Sequence, residues 1–268
     1  MNVKTGTICT GGFTMDYFRF GHGDKPLVIL PGLSVQSILP LAGAVAQEYA
    51  VMWDAFTAFV PERRREPPAG YTVGNMARDA VAAMEALGLR DICLFGASQG
   101  GMIALDVAAG RPDLVQKAAV ASTALCMTPE STAVIRRWIR EAEHGDGEGL
   151  YLAFGQAVYP PAVFEAYKPA LQAAGQSVTQ QELRRFIRLA RAAEGYDCRA
   201  RIGAIRCPLF AAGSVDDGVF GPGAVRGIIE AFAARPGFSY HVYEGFGHAA
   251  YDTAPDFRDR LYAFFTGN

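Results

Sequence analysis

The sequence lacks a surplus of charge of either sign, with 25 Lys and Arg against 27 Asp and Glu and a formal net charge of -2. Nucleic-acid and anionic-membrane binders usually carry a basic excess, so we expect neither kind of partner. No apolar run approaches the roughly 18 residues that cross a bilayer. The first residues, MNVKTGTICTGG, show no apolar segment behind a basic start, which predicts no signal peptide. We therefore expect a cytoplasmic protein that acts on a small molecule.

Metal-binding and redox motifs are also missing. The five cysteines form no C-x-x-C pair, and the four histidines show no i, i+4 spacing and have no cysteine beside them. This pattern predicts no metal and no other cofactor. We expect most of the cysteines to be small buried residues in a reducing compartment.

The chain does have enough length and apolar content for one large domain, with 268 residues of which 50% are hydrophobic. Apolar runs at 27–30, 92–96 and 207–213 alternate with helical patterns, which predicts βαβ units and a mostly parallel, doubly wound α/β sheet. We expect a turn at 21–24 between two strands, and a further strand at 49–53.

The middle of the chain changes character, because residues 128–194 show helical patterns and no convincing strand. Thr128 before Pro129 predicts one helix start, and the capping box of Thr179 with Glu182 predicts another. We interpret the block as an insertion. The predicted division is a core of residues 1–124 and 200–268 with a helical cap of residues 125–199.

Ser98 lies in the motif G-x-S-x-G, between the apolar run ICLFG and the helical pattern QGGMIALDVAA. A serine on a sharp strand-to-helix turn projects its hydroxyl beyond the strand end, and the flanking glycines leave room for it. The alternative is a tight βα turn made of small residues. The order of strand, turn and helix favours Ser98 as a nucleophile.

A serine nucleophile needs a base and a carboxylate that orients the base. Among the four histidines, His248 lies in a glycine-framed loop after the last strand, where ligands bind in open α/β sheets. Asp216 and Asp217 follow the apolar run CPLFAAG, and spacing within the sequence does not choose between them. The amides of Leu33 and Gln99 are the expected oxyanion donors, with Ser34 as the alternative to Leu33.

These motifs resemble the α/β-hydrolase fold superfamily over nearly the whole chain. The resemblance rests on residues 27–33, 94–101, 207–217 and 244–248, and on the order of nucleophile, acid and histidine. In that family the acid commonly lies three residues after a glycine, and Gly213 plus three is Asp216. The resemblance therefore implies a triad of Ser98, Asp216 and His248, with a helical cap over the site.

The sequence departs from that family in two places. Pro31 stands where many members have a histidine before the oxyanion-loop glycine. The stretch DAFTAFVPERRREPPAG replaces the pattern D-x-R-G-x-G. Its arginines, residues 63–65, could meet an acidic substrate, but we interpret them as a solvated charge run.

The resemblance implies a carboxylesterase-like serine hydrolase acting through an acyl-enzyme. Five aromatic residues of the insertion are candidate substrate contacts, although core packing is the commoner role for each: Trp138, Phe154, Tyr159, Phe164 and Phe186. Their number suggests a small, apolar substrate. Carbon–carbon bond hydrolases, thioesterases and acyltransferases use the same triad. A hydrolase-like binding protein without turnover is the alternative outside enzymes.

Overall fold

The computed structural model describes residues 3–267 of the chain. Eight strands form one sheet in the order β1-β2-β4-β3-β5-β6-β7-β8. Their bounds are β1 Lys4–Cys9, β2 Thr14–Gly21, β3 Lys25–Leu30, β4 Phe56–Pro61, β5 Ile92–Ala97, β6 Val115–Ala121, β7 Leu209–Ser214 and β8 Phe238–Tyr243. Only the β1–β2 and β2–β4 pairs within residues 3–267 are antiparallel. The predicted mostly parallel α/β sheet is confirmed.

Helices cover both faces of this sheet. They are α1 Ala42–Glu48, α2 Val73–Ala86, α3 Gln99–Gly110, α4 Pro129–Glu143, α5 Gly147–Val158, α6 Pro161–Gln176, α7 Gln180–Arg191, α8 Gly223–Phe232, α9 Ala250–Thr253 and α10 Phe257–Thr266. Buried residues of α2, α3 and α8 share one apolar cluster, and those of α1 and α10 share another. Alternate residues of β7 enter the two clusters, as expected for a strand buried on both faces.

The prediction of a turn at 21–24 between two strands is confirmed, because β2 ends at Gly21 and β3 begins at Lys25. The two strands are not neighbours in the sheet, since β4 lies between them. The predicted strand at 49–53 is instead a 3₁₀ helix at Ala50–Met52. Tyr49 and Met52 are buried while Val51 is 38% exposed, which is helical rather than alternating burial. The next strand begins at Phe56.

The helices α4 to α7 fall between β6 and β7, within residues 125–199, which we call the cap segment. The predicted capping of α4 by Thr128 and of α7 by Thr179 with Glu182 is confirmed. The two connections of the cap segment to the sheet run side by side, because Cys126 and Asp197 form an isolated antiparallel bridge. The division of the chain into core and cap stays a prediction.

Candidate active site

Ser98 lies on the sharp turn between β5 and α3. Its backbone angles are φ 53° and ψ −122°, and a positive φ is uncommon for any residue except glycine. The amide of Ser98 donates a hydrogen bond to the carbonyl of Ala121 at 2.9 Å, which ties the turn to the end of β6. The strained turn therefore holds the serine at the carboxyl edge of the parallel strands.

The glycines on either side of Ser98 allow a close backbone crossing. A Cβ on Gly96 would lie 2.2 Å from the carbonyl oxygen of Gly100. A Cβ on Gly100 would lie 2.0 Å from the carbonyl oxygen of Leu30, the last residue of β3. No side chain fits at either position unless the backbone moves, so the spacing of the motif follows from packing around the turn.

His248 reaches Ser98 from the other end of the chain. It follows β8 in a short 3₁₀ helix, Gly247–Ala249, and only 2% of the residue is exposed. Its Nε2 lies 2.9 Å from Ser98 Oγ. The ring of Phe220 packs edge-on against the imidazole at 5.3 Å between centroids. The imidazole is therefore held in hydrogen-bond contact with the serine hydroxyl, as base and nucleophile require.

The carboxylate beside His248 belongs to Asp217, so the prediction of Asp216 at this position is wrong. Asp217 Oδ2 lies 2.9 Å from His248 Nδ1. Asp217 Oδ1 accepts hydrogen bonds from the amides of Val219 and Phe220, both at 2.8 Å. One oxygen is thus held by the backbone, and the other is directed at the imidazole.

Asp216 holds the loop that carries the histidine. Its Oδ1 accepts from the hydroxyl of Ser214 and from the amide of Gly245 at 3.1 Å. Its Oδ2 accepts from the amide of Gly247 at 3.0 Å. Adjacent side chains after a strand point in different directions. Asp216 therefore lies on the exposed side and bonds the 245–247 loop, and Asp217 faces the buried histidine.

The electrostatics of Asp217 favour its charged form. Burial alone would raise the pKa of this carboxyl group. The neighbouring imidazole and the two backbone amides outweigh burial and hold its pKa below the usual value. A carboxylate that stays ionised fixes a proton on Nδ1 of His248, which leaves Nε2 free to accept the serine proton.

The two amides predicted as oxyanion donors lie at this site. Leu33 and Gln99 both line the cavity that contains Ser98 and His248. Neither amide has a hydrogen-bond acceptor among residues 3–267. A Cβ on Gly32 would lie 3.3 Å from the Cβ of Ser98, so the loop of residues 31–34, the oxyanion loop, passes close to the serine. Their action on an oxyanion stays a prediction.

The expectation of a solvated arginine run is wrong for Arg63. This side chain is buried, and its Nη2 donates to the carbonyl of Pro31 at 2.7 Å. Burial lowers the pKa of Arg63 to about 10, so the guanidinium stays charged near neutral pH. Arg65 does lie at the surface, paired with Asp16. Arg63 therefore holds the oxyanion loop through the Pro31 carbonyl. Pro31 and the segment that contains Arg63 are the two places where the sequence departs from the family pattern.

The cavity beside Ser98 has a volume of about 30 Å³ and a mostly apolar wall. Of the predicted cap aromatics, Trp138 and Phe154 line this cavity, and their ring centroids lie 4.5 Å apart. Tyr159, Phe164 and Phe186 are not among its lining residues, and Phe186 is fully buried in the large apolar cluster. The prediction that those three contact substrate finds no support in this geometry.

Other lining residues were missed by sequence reasoning. They are Met102, Ile135, Val158, Ala193, Phe220 and Tyr251. The spacing of the helix α4 could have indicated Ile135, because it precedes Trp138 by three residues and therefore shares its face. Phe220 lies in a turn after β7, and Tyr251 lies in the four-residue helix α9 after β8. Neither segment is long enough to show a periodic signal in one sequence. The part of the chain at 3–267 holds no group of three His, Cys, Asp or Glu side chains placed to bind a metal ion.

The arrangement can make a hydroxyl reactive. A buried carboxylate, an imidazole and a serine hydroxyl form one hydrogen-bonded series, at 2.9 Å for each contact. Two backbone amides without acceptors line the same cavity. This combination suits nucleophilic attack on a carbonyl carbon.

Within the described residues, no helix is both long and apolar enough to span a membrane.

Comparisons with known proteins agree with the fold. A model of the alpha/beta hydrolase fold family matches residues 14–255. A Klebsiella pneumoniae protein named "Putative carbamate hydrolase RutD" is 26% identical over 191 residues, 70% of this chain and 71% of that protein. The solved structure of MGS-M2, an alpha/beta hydrolase enzyme from a Medee basin deep-sea metagenome library, superposes with a TM-score of 0.86 at 20% identity, covering 98% of each chain. The enol-lactonase of Burkholderia xenovorans LB400 superposes with a TM-score of 0.79 at 18% identity, covering 97% of this chain and all of that one (100%).

Proposed function

Because this chain belongs to the alpha/beta hydrolase fold family, we propose that it is a serine hydrolase that cleaves a carboxylic ester or a related acyl bond. The observation that carries the proposal is the series Asp217, His248 and Ser98, whose two contacts each measure 2.9 Å. A binding protein has no need for an imidazole held between a buried carboxylate and a strained serine. Turnover is therefore favoured over binding alone.

In the proposed reaction, His248 Nε2 removes the proton of Ser98 as Oγ attacks the carbonyl carbon of the substrate. The negative charge that develops on the carbonyl oxygen is stabilised by the amides of Leu33 and Gln99. The imidazolium then gives its proton to the leaving group, and an acyl-serine remains. Water, activated by the same imidazole, releases the acid. Asp217 keeps the imidazole oriented and balances its charge in each step.

The wall and the volume of the cavity beside Ser98 indicate the size and polarity of the substrate. Trp138, Phe154 and Phe220 give it an apolar wall. At about 30 Å³ it is far smaller than a typical site for a small ligand. An acyl substrate therefore enters only when the cap segment moves away from the core, and the contact from Gln99 Nε2 to the Leu189 carbonyl forms again when the segment closes over the substrate. A short acyl group that is mainly apolar fits this site best.

A carbamate is the second candidate substrate, and the Klebsiella relative named as a carbamate hydrolase favours it. The same serine, imidazole and amide donors would attack the carbonyl carbon of a carbamate. Thioester hydrolysis, acyl transfer and carbon–carbon bond hydrolysis use the same groups, and trials with those substrates distinguish them from ester hydrolysis.

The first test is covalent labelling by a fluorophosphonate together with turnover of p-nitrophenyl esters of graded chain length. We expect labelling at Ser98 and higher rates for short acyl chains. Ser98→Ala should lower turnover by at least about 10⁴-fold, with an unchanged melting temperature. Ser239→Ala, on the exposed edge strand β8, is the matched control and should keep full activity. Wild-type rates in Ser98→Ala would refute the proposal.

A further inference from the structure

The side chain of Gln99 contains a buried hydrogen-bond acceptor without a partner. Gln99 follows Ser98 directly and is only 3% exposed. Its Nε2 donates to the carbonyl of Leu189 in the cap helix α7 at 2.7 Å. Its Oε1 is shielded from solvent and has no hydrogen-bond donor among residues 3–267. A buried polar oxygen of this kind costs free energy until a donor satisfies it.

Hydrogen-bond chemistry determines which end of the Gln99 carboxamide is unpartnered. The carbonyl oxygen of Leu189 only accepts hydrogen bonds, so the carboxamide must present its nitrogen to that oxygen. The unpartnered atom of Gln99 is therefore the oxygen. The contact with α7 holds the carboxamide in one orientation, and the acceptor is fixed in place.

Gln99 also stands at the junction of two cavities. It lines the cavity that contains Ser98 and His248, and it lines a smaller cavity of about 10 Å³ behind the oxyanion loop. Gly32 and Leu33 line both spaces as well. Apart from Ser98 and His248, the wall of the larger cavity is mainly apolar, whereas Glu62, Arg63 and Arg185 line the smaller one. None of these side chains donates a hydrogen bond to the Gln99 oxygen.

The proposed reaction determines which part of a substrate can approach this oxygen. In the tetrahedral intermediate, the oxyanion lies against the Leu33 and Gln99 amides, and the leaving group lies beside the imidazole of His248. The remaining substituent on the carbon is the acyl group. It is the part free to approach the Gln99 side chain, on the side of the cap helix α7.

Resting on the proposed function, we propose that Gln99 Oε1 accepts a hydrogen bond from an N–H of the substrate's acyl group. The substrate class is therefore carbonyl compounds whose acyl group carries an N–H, either directly on the scissile carbonyl or one carbon away. Movement of the cap segment during substrate entry opens the space, and the substrate N–H then satisfies the acceptor. An acyl group with only carbon at this position leaves the oxygen unpaired, and its kcat/KM lacks the contribution of this hydrogen bond whatever the intrinsic reactivity of its carbonyl.

The test uses two pairs of substrates that differ only by N–H against CH₂. The first pair is p-nitrophenyl N-methylcarbamate and p-nitrophenyl propionate. The second is p-nitrophenyl N-acetylglycinate and p-nitrophenyl levulinate. The measured quantity is the ratio of kcat/KM within each pair, followed by p-nitrophenolate release and corrected for spontaneous hydrolysis. Taking the ratio removes effects of folding and of active enzyme concentration.

Three variants isolate the acceptor. Gln99→Met keeps the length of the side chain without an acceptor, and Gln99→Glu keeps an oxygen but loses the donor to Leu189. Met102→Leu is the matched control, because Met102 lines the same cavity with no strong acceptor. We expect the N–H preference to fall about tenfold in Gln99→Met in at least one pair. It should fall less in Gln99→Glu, which keeps an acceptor oxygen but loses the contact with Leu189 that orients it. Met102→Leu should change both members of a pair alike.

Equal changes for both members of both pairs in Gln99→Met would overturn the inference, as would loss of the preference in Met102→Leu. Such results leave the proposed hydrolase intact, because every substrate would still be turned over. Failure of the proposed function looks different: fluorophosphonate would not label Ser98, and Ser98→Ala would not lower the rate for any substrate.

Discussion

The adjacent carboxylates Asp216 and Asp217 allow one sharp test of the site. Asp216→Asn and Asp217→Asn each remove one negative charge and keep the side-chain volume, at neighbouring positions of the same turn. Long-range electrostatic effects of the two changes are therefore similar. Any large difference between the variants reports on local contacts, namely that of Asp217 with His248 and those of Asp216 with the 245–247 loop.

Asp217→Asn should act on catalysis. A carboxamide can donate a hydrogen bond to Nδ1 of His248, which leaves the proton on Nε2 and prevents that atom from accepting the proton of Ser98. The expected loss is about 10⁴-fold in kcat, by comparison with the serine-protease triad. That factor corresponds to about 5.5 kcal/mol of activation free energy. The strained turn at Ser98 is unaffected.

Asp216→Asn should act mainly on stability. The carboxamide oxygen can keep part of the bonding to Gly245 and Gly247 but loses the charge. Because Asp216 is exposed, water replaces what is lost, and we expect a cost of about 1 kcal/mol in the free energy of unfolding. For a chain of this size that lowers the melting temperature by a few degrees. We expect kcat to fall less than about tenfold.

The assay measures kcat on p-nitrophenyl propionate and thermal melting on the same preparations. The reasoning is refuted if Asp216→Asn loses more activity than Asp217→Asn. It is also refuted if Asp217→Asn keeps more than about a tenth of the wild-type kcat, because the carboxylate beside the imidazole would then have no orienting role.

Asp217, Gly100 and Arg63 each make a close contact that a single substitution can test. The pKa of Asp217 in the folded protein is below its unfolded value of about 3.9. The stability that its charge contributes is therefore present above that pH and is lost as the pH falls through the folded pKa. Urea unfolding at a series of pH values should show that the free energy of unfolding depends less on acid pH in Asp217→Asn than in the wild type. Gly100→Ala should fold poorly, because its Cβ would lie 2.0 Å from the carbonyl oxygen of Leu30 at the end of β3. Gly110→Ala is the control, because its Cβ would have no atom within 4 Å and should change the melting temperature little. Equal melting temperatures for the two variants would contradict the close backbone packing around Ser98. Arg63→Met removes the hydrogen bond to the Pro31 carbonyl in the oxyanion loop and should lower kcat at least about tenfold. Arg65→Met, at the surface, should keep a kcat near that of the wild type. Equal losses in both variants would show that the lost charge, rather than the contact with the loop, lowers kcat.

Sequence patterns located much of the candidate site because each relevant signal was local. The motif around Ser98 is a packing requirement of one turn, and the glycine-framed loop around His248 follows one strand. The helix starts at Thr128 and Thr179 depend on side-chain contacts within one helical turn. Each of these features is complete within about ten residues, so the order of residues is sufficient to recognise it.

Other features depend on how distant segments pack. In the sequence, Arg63 is part of a charge run. Only the pairing of β3 with β4 brings it beside Pro31, where it is buried and donates to the Pro31 carbonyl. The placement of β4 between β2 and β3 depends on the pairing of strands far apart in sequence. The cap aromatics look alike in sequence, yet only Trp138 and Phe154 of those predicted reach the cavity.

The amino-acid sequence by itself determined the α/β class, the turn that presents Ser98 and the loop that presents His248, since local periodicity and glycine spacing dictate these features. Tertiary structure alone decided between Asp216 and Asp217. The two carboxylates are chemically identical and adjacent, and only the direction of each side chain after β7, fixed by packing against the buried histidine and the 245–247 loop, gives them different partners.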